Sequence, residues 1–134
     1  MTLAAHQNPL IVDHATFVLD EMKSLCASLT YAALVTDDGF IVADRGRDTD
    51  GSRFASMSSS VQALSDAVAR ELRIGASEYV IIASADGHVI QQRVPDRPLV
   101  LAALFDTDET LGKALSISRL TARRVADYFT PQVS

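Results

Sequence analysis

The chain has 134 residues, 48% of them apolar, which suits one compact domain with enough apolar volume to fill a core. Its formal net charge is -5 and its pI about 5.0, and its only lysines are Lys23 and Lys113, so it lacks the clustered positive charge that a nucleic-acid partner requires. One cysteine, Cys26, excludes an internal disulfide and supplies no metal cluster.

Residues 1–9 read as a flexible lead-in, with neither the basic region nor the apolar core of a signal peptide. Residues 10–130 are expected to form the single domain. No segment approaches the apolar length of a bilayer span, so no membrane is expected as a partner and the cytoplasm is the expected location. Pro9, with its fixed φ, suits the first turn of a helix. Ile11, Ala15, Val18, Met22, Leu25 and Leu29 are spaced 4, 3, 4, 3, 4 and lay one apolar stripe along that helix to about residue 29. Cys26 falls within the pattern and reads as a buried thiol.

In "YAALVTDDGFIVADRG" two short apolar runs flank Asp38-Gly39, a pair suited to the positive φ values of a tight turn. This predicts a hairpin over 31–37 and 40–45, followed by a turn-rich loop, "GRDTDGS", over 46–52. A second helix is predicted from about Ser52 to Arg73, with Phe54, Met57, Val61, Leu64, Val68 and Leu72 as its large apolar stripe and Gly75 as its C-terminal cap. "SEYVIIASADGHVIQQRV" then repeats the hairpin pattern around Asp86-Gly87. After Pro95 to Pro98, "LVLAALF" predicts a fifth strand, and a last helix is predicted over about 107–129. The order is helix, strand, strand, helix, strand, strand, strand, helix, with short connections that make neighbours antiparallel. "YAALV" and "LVLAALF" are apolar on both faces and belong in the middle of a sheet covered on both sides. "HVIQQRV" has more polar positions and is expected to be less buried.

Four stretches raise the question of chemistry. Asp106-x-Asp108-x-Thr110 is the spelling of a phosphate-transferring aspartate site, but such sites need a later basic residue and a later acidic pair for the metal. After Thr110 the chain offers Lys113 and Asp127. A helix start, with Asp106 as cap and Glu109 completing a capping box, accounts for the same residues. Gly46 and Gly51 are spaced as in a phosphate loop, yet Ser52 stands where Lys is needed, and Asp48 and Asp50 would repel phosphate. As a calcium loop the segment has its glycine at the wrong offset and no closing Glu. The better reading is a solvated loop in which Asp50 or Ser52 caps the second helix. His6, His14 and His88 share no ligand spacing. Ser56, Ser58, Ser59 and Ser60 have no strained turn and no evident base. No catalytic, cofactor or metal site is expected, and the chain reads as a non-enzyme.

What remains is a surface. Ala55, Ser56, Ser59, Ser60, Ala63 and Ala67 form a face of small side chains on the second helix, which would let another helix come close. They would equally pack against the protein's own sheet. The third strand, "EYVIIA", lies at an edge if the fifth is central, and it is apolar without Pro or Lys. A bare apolar edge invites pairing. Tyr79, Val80, Ile81 and Ile82 are therefore expected, with the small face, to form a contact with a second copy.

In this order and pattern the chain, over about residues 10–129, resembles the roadblock family, the light-chain domain of dynein and its bacterial relatives. The resemblance rests on "AALVTDDGFIVA", "FASMSSSVQALSDAVARELRIG", "YVIIASADGHVIQQRV", "LVLAALF" and "ETLGKALSISRLTARRVADYF", with Gly39, Gly87 and Leu111-Gly112 standing where the pattern wants them. It implies an α/β (α+β) fold: a five-stranded antiparallel sheet in the order 2-1-5-4-3, the second helix on one face and the first and third on the other. It also implies a homodimer and a non-catalytic role as regulator or scaffold of a Ras-like small GTPase. The alternatives are a small-ligand sensor, which needs a pocket, and a purely structural subunit.

Overall fold

A computed structural model describes residues 3–46 and 50–128. Asn8 opens α1 (Pro9–Leu25), its side-chain oxygen accepting the Leu10 amide at 3.1 Å. The predicted stripe would carry this helix to residue 29, but it stops at Leu25. Leu29 opens β1 (Leu29–Thr36) and pairs with Phe105 instead. A residue four positions after Leu25 fits a helical stripe and a strand start equally well, and the sheet ladder decides between them. Cys26, expected inside the helix, sits at its C-terminal cap and is buried. In the lead-in, Ala5–Gln7 form a 3-10 turn, and His6 stacks on Phe40 with ring centroids 4.5 Å apart.

β1 turns into β2 (Ile41–Gly46) at Asp38-Gly39, where Gly39 takes φ 92° and its amide donates to the Thr36 carbonyl. α2 (Gly51–Leu72) starts on Asp50, whose carboxylate accepts the Arg53 amide at 3.3 Å and the Ser52 hydroxyl at 3.0 Å. Of the two residues proposed as its cap, Asp50 does the capping. At the other end the left-handed residue is Arg73, φ 54°, whose amide meets the Ala69 and Arg70 carbonyls. Gly75, predicted as the cap, lies two residues further on with φ 95°. β3 (Tyr79–Ser84), β4 (Gly87–Arg93), β5 (Leu99–Phe105) and α3 (Leu111–Tyr128) complete the fold.

The sheet order is β2-β1-β5-β4-β3 with every pair antiparallel. β5 is central, and β1 beside it is buried nearly throughout. Alternation along the strands divides the core in two. Ala32, Leu34, Leu101, Ala103 and Phe105 face α1 and α3 in the main cluster, while Tyr31, Ala33 and Val35 face Ala55 of α2 in a smaller one.

β4 is less continuously buried than β1 and β5, as its polar positions suggested, yet its two glutamines, Gln91 and Gln92, are 3% and 8% exposed. β4 lies between β5 and β3, and α2 supplies partners for its polar groups. The Gln91 amide donates to Ser58 O at 3.0 Å and Gln62 Oε1 at 3.2 Å, and its oxygen accepts from Ser58 Oγ at 2.8 Å. Buried amides are tolerated when their hydrogen bonds are met. Among the described residues no helix is long and apolar enough to cross a membrane.

Candidate interaction surface

On the α2 face of the sheet Ala33 of β1 lies between the larger Tyr31 and Val35, all three buried, and leaves room there for a close approach. A helix approaches such a spot with its own small or polar side chains. Ala55, Ser58, Gln62 and Ala69 are the buried positions of α2. The large residues consequently point away. Phe54 still packs, edge-on to the Tyr31 ring, but Met57, Leu64, Val68 and Leu72 are roughly half to two-thirds exposed, and Ile74 just beyond is 71% exposed.

The predicted small face therefore lies only partly underneath. Ala55 is sealed against the sheet, and Ser59 is half-buried, its hydroxyl donating to the Asp37 carbonyl at 2.7 Å. Ser56, Ser60 and Ala63 are exposed, with Ser60 Oγ returning to Ser56 O at 3.1 Å, and Ala67 is half-buried. Ala55 and Ser59 sit at the β1–β2 end of the helix, remote from β3.

β3 is the outermost strand and, among the described residues, pairs only with β4. Tyr79 and Ile82 are exposed, while Val80 and Ile81 are half-buried. Ile81 packs on the main core, which turns Val80 and Ile82, one residue either side, toward the α2 face. Between this face of β3 and the last turns of α2 runs an apolar groove, lined by Val61, Leu64, Val68, Ile74 and Val80. The structure thus brings Val80 of the predicted strand set beside the large stripe of α2, which was not predicted to face outward.

The Asp106 motif is structural. Asp106 Oδ1 accepts the Asp108 amide at 2.9 Å, an Asx turn, and Thr110 Oγ1 accepts the Lys113 amide at 3.2 Å. The cap of α3 is thus Thr110, not Asp106. Glu109 does not close a capping box. It is buried and accepts the Cys26 thiol at 3.1 Å, with Lys113 Nζ at 3.7 Å. The thiol hydrogen bond, with help from Ser28 and Lys113, holds the Glu109 carboxyl below its ordinary range, and burial pushes the Cys26 thiol up. In the 46–52 loop, Asp48 lies outside the described residues. His14 stacks on Tyr128 and meets the Arg124 carbonyl at 3.2 Å, and His88 lies near the start of β4. Among the described residues no three His, Cys, Asp or Glu side chains converge as a metal site.

The Roadblock/LC7 domain profile matches residues 16–105. The gliding protein MglB of Thermus thermophilus superposes with a TM-score of 0.80 at 18% identity, over 90% of this chain and 91% of that one. MglB of Myxococcus xanthus gives 0.79 at 19% identity, over 86% and 94%. A Roadblock/LC7 domain from Streptomyces avermitilis gives 0.78 at 16% identity, over 85% and 96%. Among curated proteins none matches in sequence. At these identities the structural likenesses establish the fold, and the profile spans the chain from α1 to the end of β5. On that match the chain belongs to the Roadblock/LC7 domain family.

Proposed function

We propose that this protein is a non-catalytic, dimeric regulator or scaffold of a Ras-like small GTPase. The observation that carries the reading is the apolar groove between α2 and β3, beside a strand edge with a partner on one side only among the described residues. A second copy related by a two-fold axis would continue the sheet through β3 and set the outward stripe of α2 against its twin. The paired helices then form one platform, which helps a third molecule reach the ~1,200–2,000 Å² that specific complexes bury. The roadblock resemblance favours a small GTPase as that molecule. The chain has no phosphate loop with its lysine, so any nucleotide dependence would come from the partner.

The purified chain should sediment as a dimer at micromolar concentration. Leu64→Glu, at a position 67% exposed in the single chain, should yield a folded monomer, because the new charge would be desolvated in the contact. A small GTPase recovered from native lysate should then be titrated in both nucleotide states. An activator binds the GTP form more tightly and raises its hydrolysis; a scaffold binds both forms alike. A monomeric wild-type protein, or a dimer that recovers no small GTPase, overturns the proposal, the latter in favour of a purely structural subunit.

A further inference from the structure

Two segments distant in the chain meet at Arg93 of β4. Its Nη1 lies 3.2 Å from Asp37 Oδ1 in the β1–β2 turn, and its Nη2 lies 3.3 Å from Asp66 Oδ2 on α2. Nη1 also donates to the Arg97 carbonyl at 3.3 Å. The Arg93 side chain is 23% exposed, against 43% for Arg45, which pairs with Asp20 of α1. Its partial burial limits screening by salt, and the planar fork offers a separate nitrogen to each carboxylate.

The links continue on both sides of this arginine. Asp66 Oδ1 accepts Gln62 Nε2 at 3.0 Å, Gln62 Oε1 accepts Gln91 Nε2 at 3.2 Å, and Gln91 Oε1 accepts the Ser58 hydroxyl at 2.8 Å. On the other side the Asp37 carbonyl accepts the Ser59 hydroxyl at 2.7 Å. The bonds thus leave α2, pass through β4 and the turn, and return to α2 as a closed ring. Ser58, Gln62 and Gln91 are buried, whereas the buried apolar residues of α2 are two alanines, Ala55 and Ala69. The helix is seated largely by polar contacts that also hold the turn.

We propose that Arg93 couples α2 to the β1–β2 turn, so that the two loosen and tighten as one unit. The rotamer entropy of the arginine is lost once and serves both carboxylates, so each bond makes the other easier to form. When α2 lifts, Asp66 and Ser59 leave together, and Asp37 loses both the fixed guanidinium and the hydroxyl. A contact that presses α2 onto the sheet then also stills the turn, and one that lifts the helix frees both. The coupling is a property of the single chain and does not rest on what α2 binds.

The test is amide hydrogen exchange on the full chain. It is read at Asp37 and Gly39, whose amides donate to the Pro98 and Thr36 carbonyls, and across residues 58–66 of α2. Asp66→Asn removes the charge on α2 while keeping an oxygen for Gln62. It should speed exchange at Asp37 and Gly39 at least about threefold, within the range for loss of a partly exposed ion pair. Asp37→Asn should act reciprocally on α2. Arg93→Gln should loosen both segments, and Arg93→Lys, which keeps the charge without the fork, should restore them only in part. Arg45→Gln, which breaks the more exposed Arg45–Asp20 pair, should leave both unchanged. If Arg93→Gln does not fold, the two Asn variants decide. Unchanged or slower exchange at the turn in Asp66→Asn overturns the proposal, the slower case showing that the two carboxylates compete for the arginine.

Discussion

Cys26 Sγ donates to Glu109 Oε2 across 3.1 Å, joining the end of α1 to the loop that leads into α3, eighty-three positions later in the chain. Both groups are buried, and the bond suits one combination of charge states, a neutral thiol with an ionised carboxylate. Glu109 has its folded pKa lowered, so its contribution is present above the ordinary carboxylate range and is lost as pH falls through it. Cys26 has its folded pKa raised, so its contribution is present below the ordinary thiol pKa and is lost as pH rises past it. The urea midpoint should therefore be highest near neutral pH and fall on both sides. Glu109→Gln should flatten the acid limb, and an unchanged acid limb would show that the pair has no energetic role.

Gly46 and Gly75 both have positive φ, at 126° and 95°. A Cβ on Gly46 would collide with the Thr30 carbonyl of the paired strand, whereas one on Gly75 meets nothing within 4 Å. Gly75→Ala should cost ~1 kcal/mol from backbone strain alone. Gly46→Ala should cost clearly more, because β2 must move off β1. Paired urea titrations check the difference.

Gln91→Leu should destabilise the fold by ~1–3 kcal/mol, because it leaves the Ser58 hydroxyl and carbonyl and the Gln62 oxygen without their buried partner. Combined with Ser58→Ala, the loss should be smaller than the sum of the two single losses. Strict additivity in a double-mutant cycle would mean that α2 is not coupled to β4 through these groups.

Thr110→Ala should cost ~1 kcal/mol as the loss of a helix cap. Asp106→Asn keeps the oxygen that accepts the Asp108 amide and should change the melting temperature little. If instead Asp106→Asn abolished a magnesium-dependent phosphatase activity, the structural reading of this motif would be wrong.

The sheet order and the placement of the helices were legible because apolarity on both faces of "YAALV" and "LVLAALF" leaves those strands no place but the interior, and the roadblock resemblance supplied the rest. The orientation of α2 was less legible. A stripe of Met57, Leu64, Val68 and Leu72 has the same period whether it faces a core or the outside. The deciding information lies in other strands, in Tyr31, Ala33 and Val35, which receive Ala55, and in Gln91, which pairs with Ser58 and Gln62. The polarity of Gln91 was misleading for the same reason, since its partners Ser58 and Gln62 come from a distant segment. At the start of α3 the residue types of a cap were visible, but Asp106 and Thr110 both qualify, and only the path of the loop selects Thr110.

The two halves of the core differ greatly in size. α1 and α3 share the larger cluster, while α2 adds a single fully buried residue, Ala55, to a cluster of four. In the single chain the helix with the most outward apolar surface is thus the one least anchored by apolar contact. Its amides should exchange with deuterium at a lower opening free energy than those of α1 and α3, as expected for a subglobal unit with little buried area. Any partner that covers Leu64 and Val68 should slow that exchange, and the midpoint of thermal unfolding should then rise with protein concentration if the partner is a second copy.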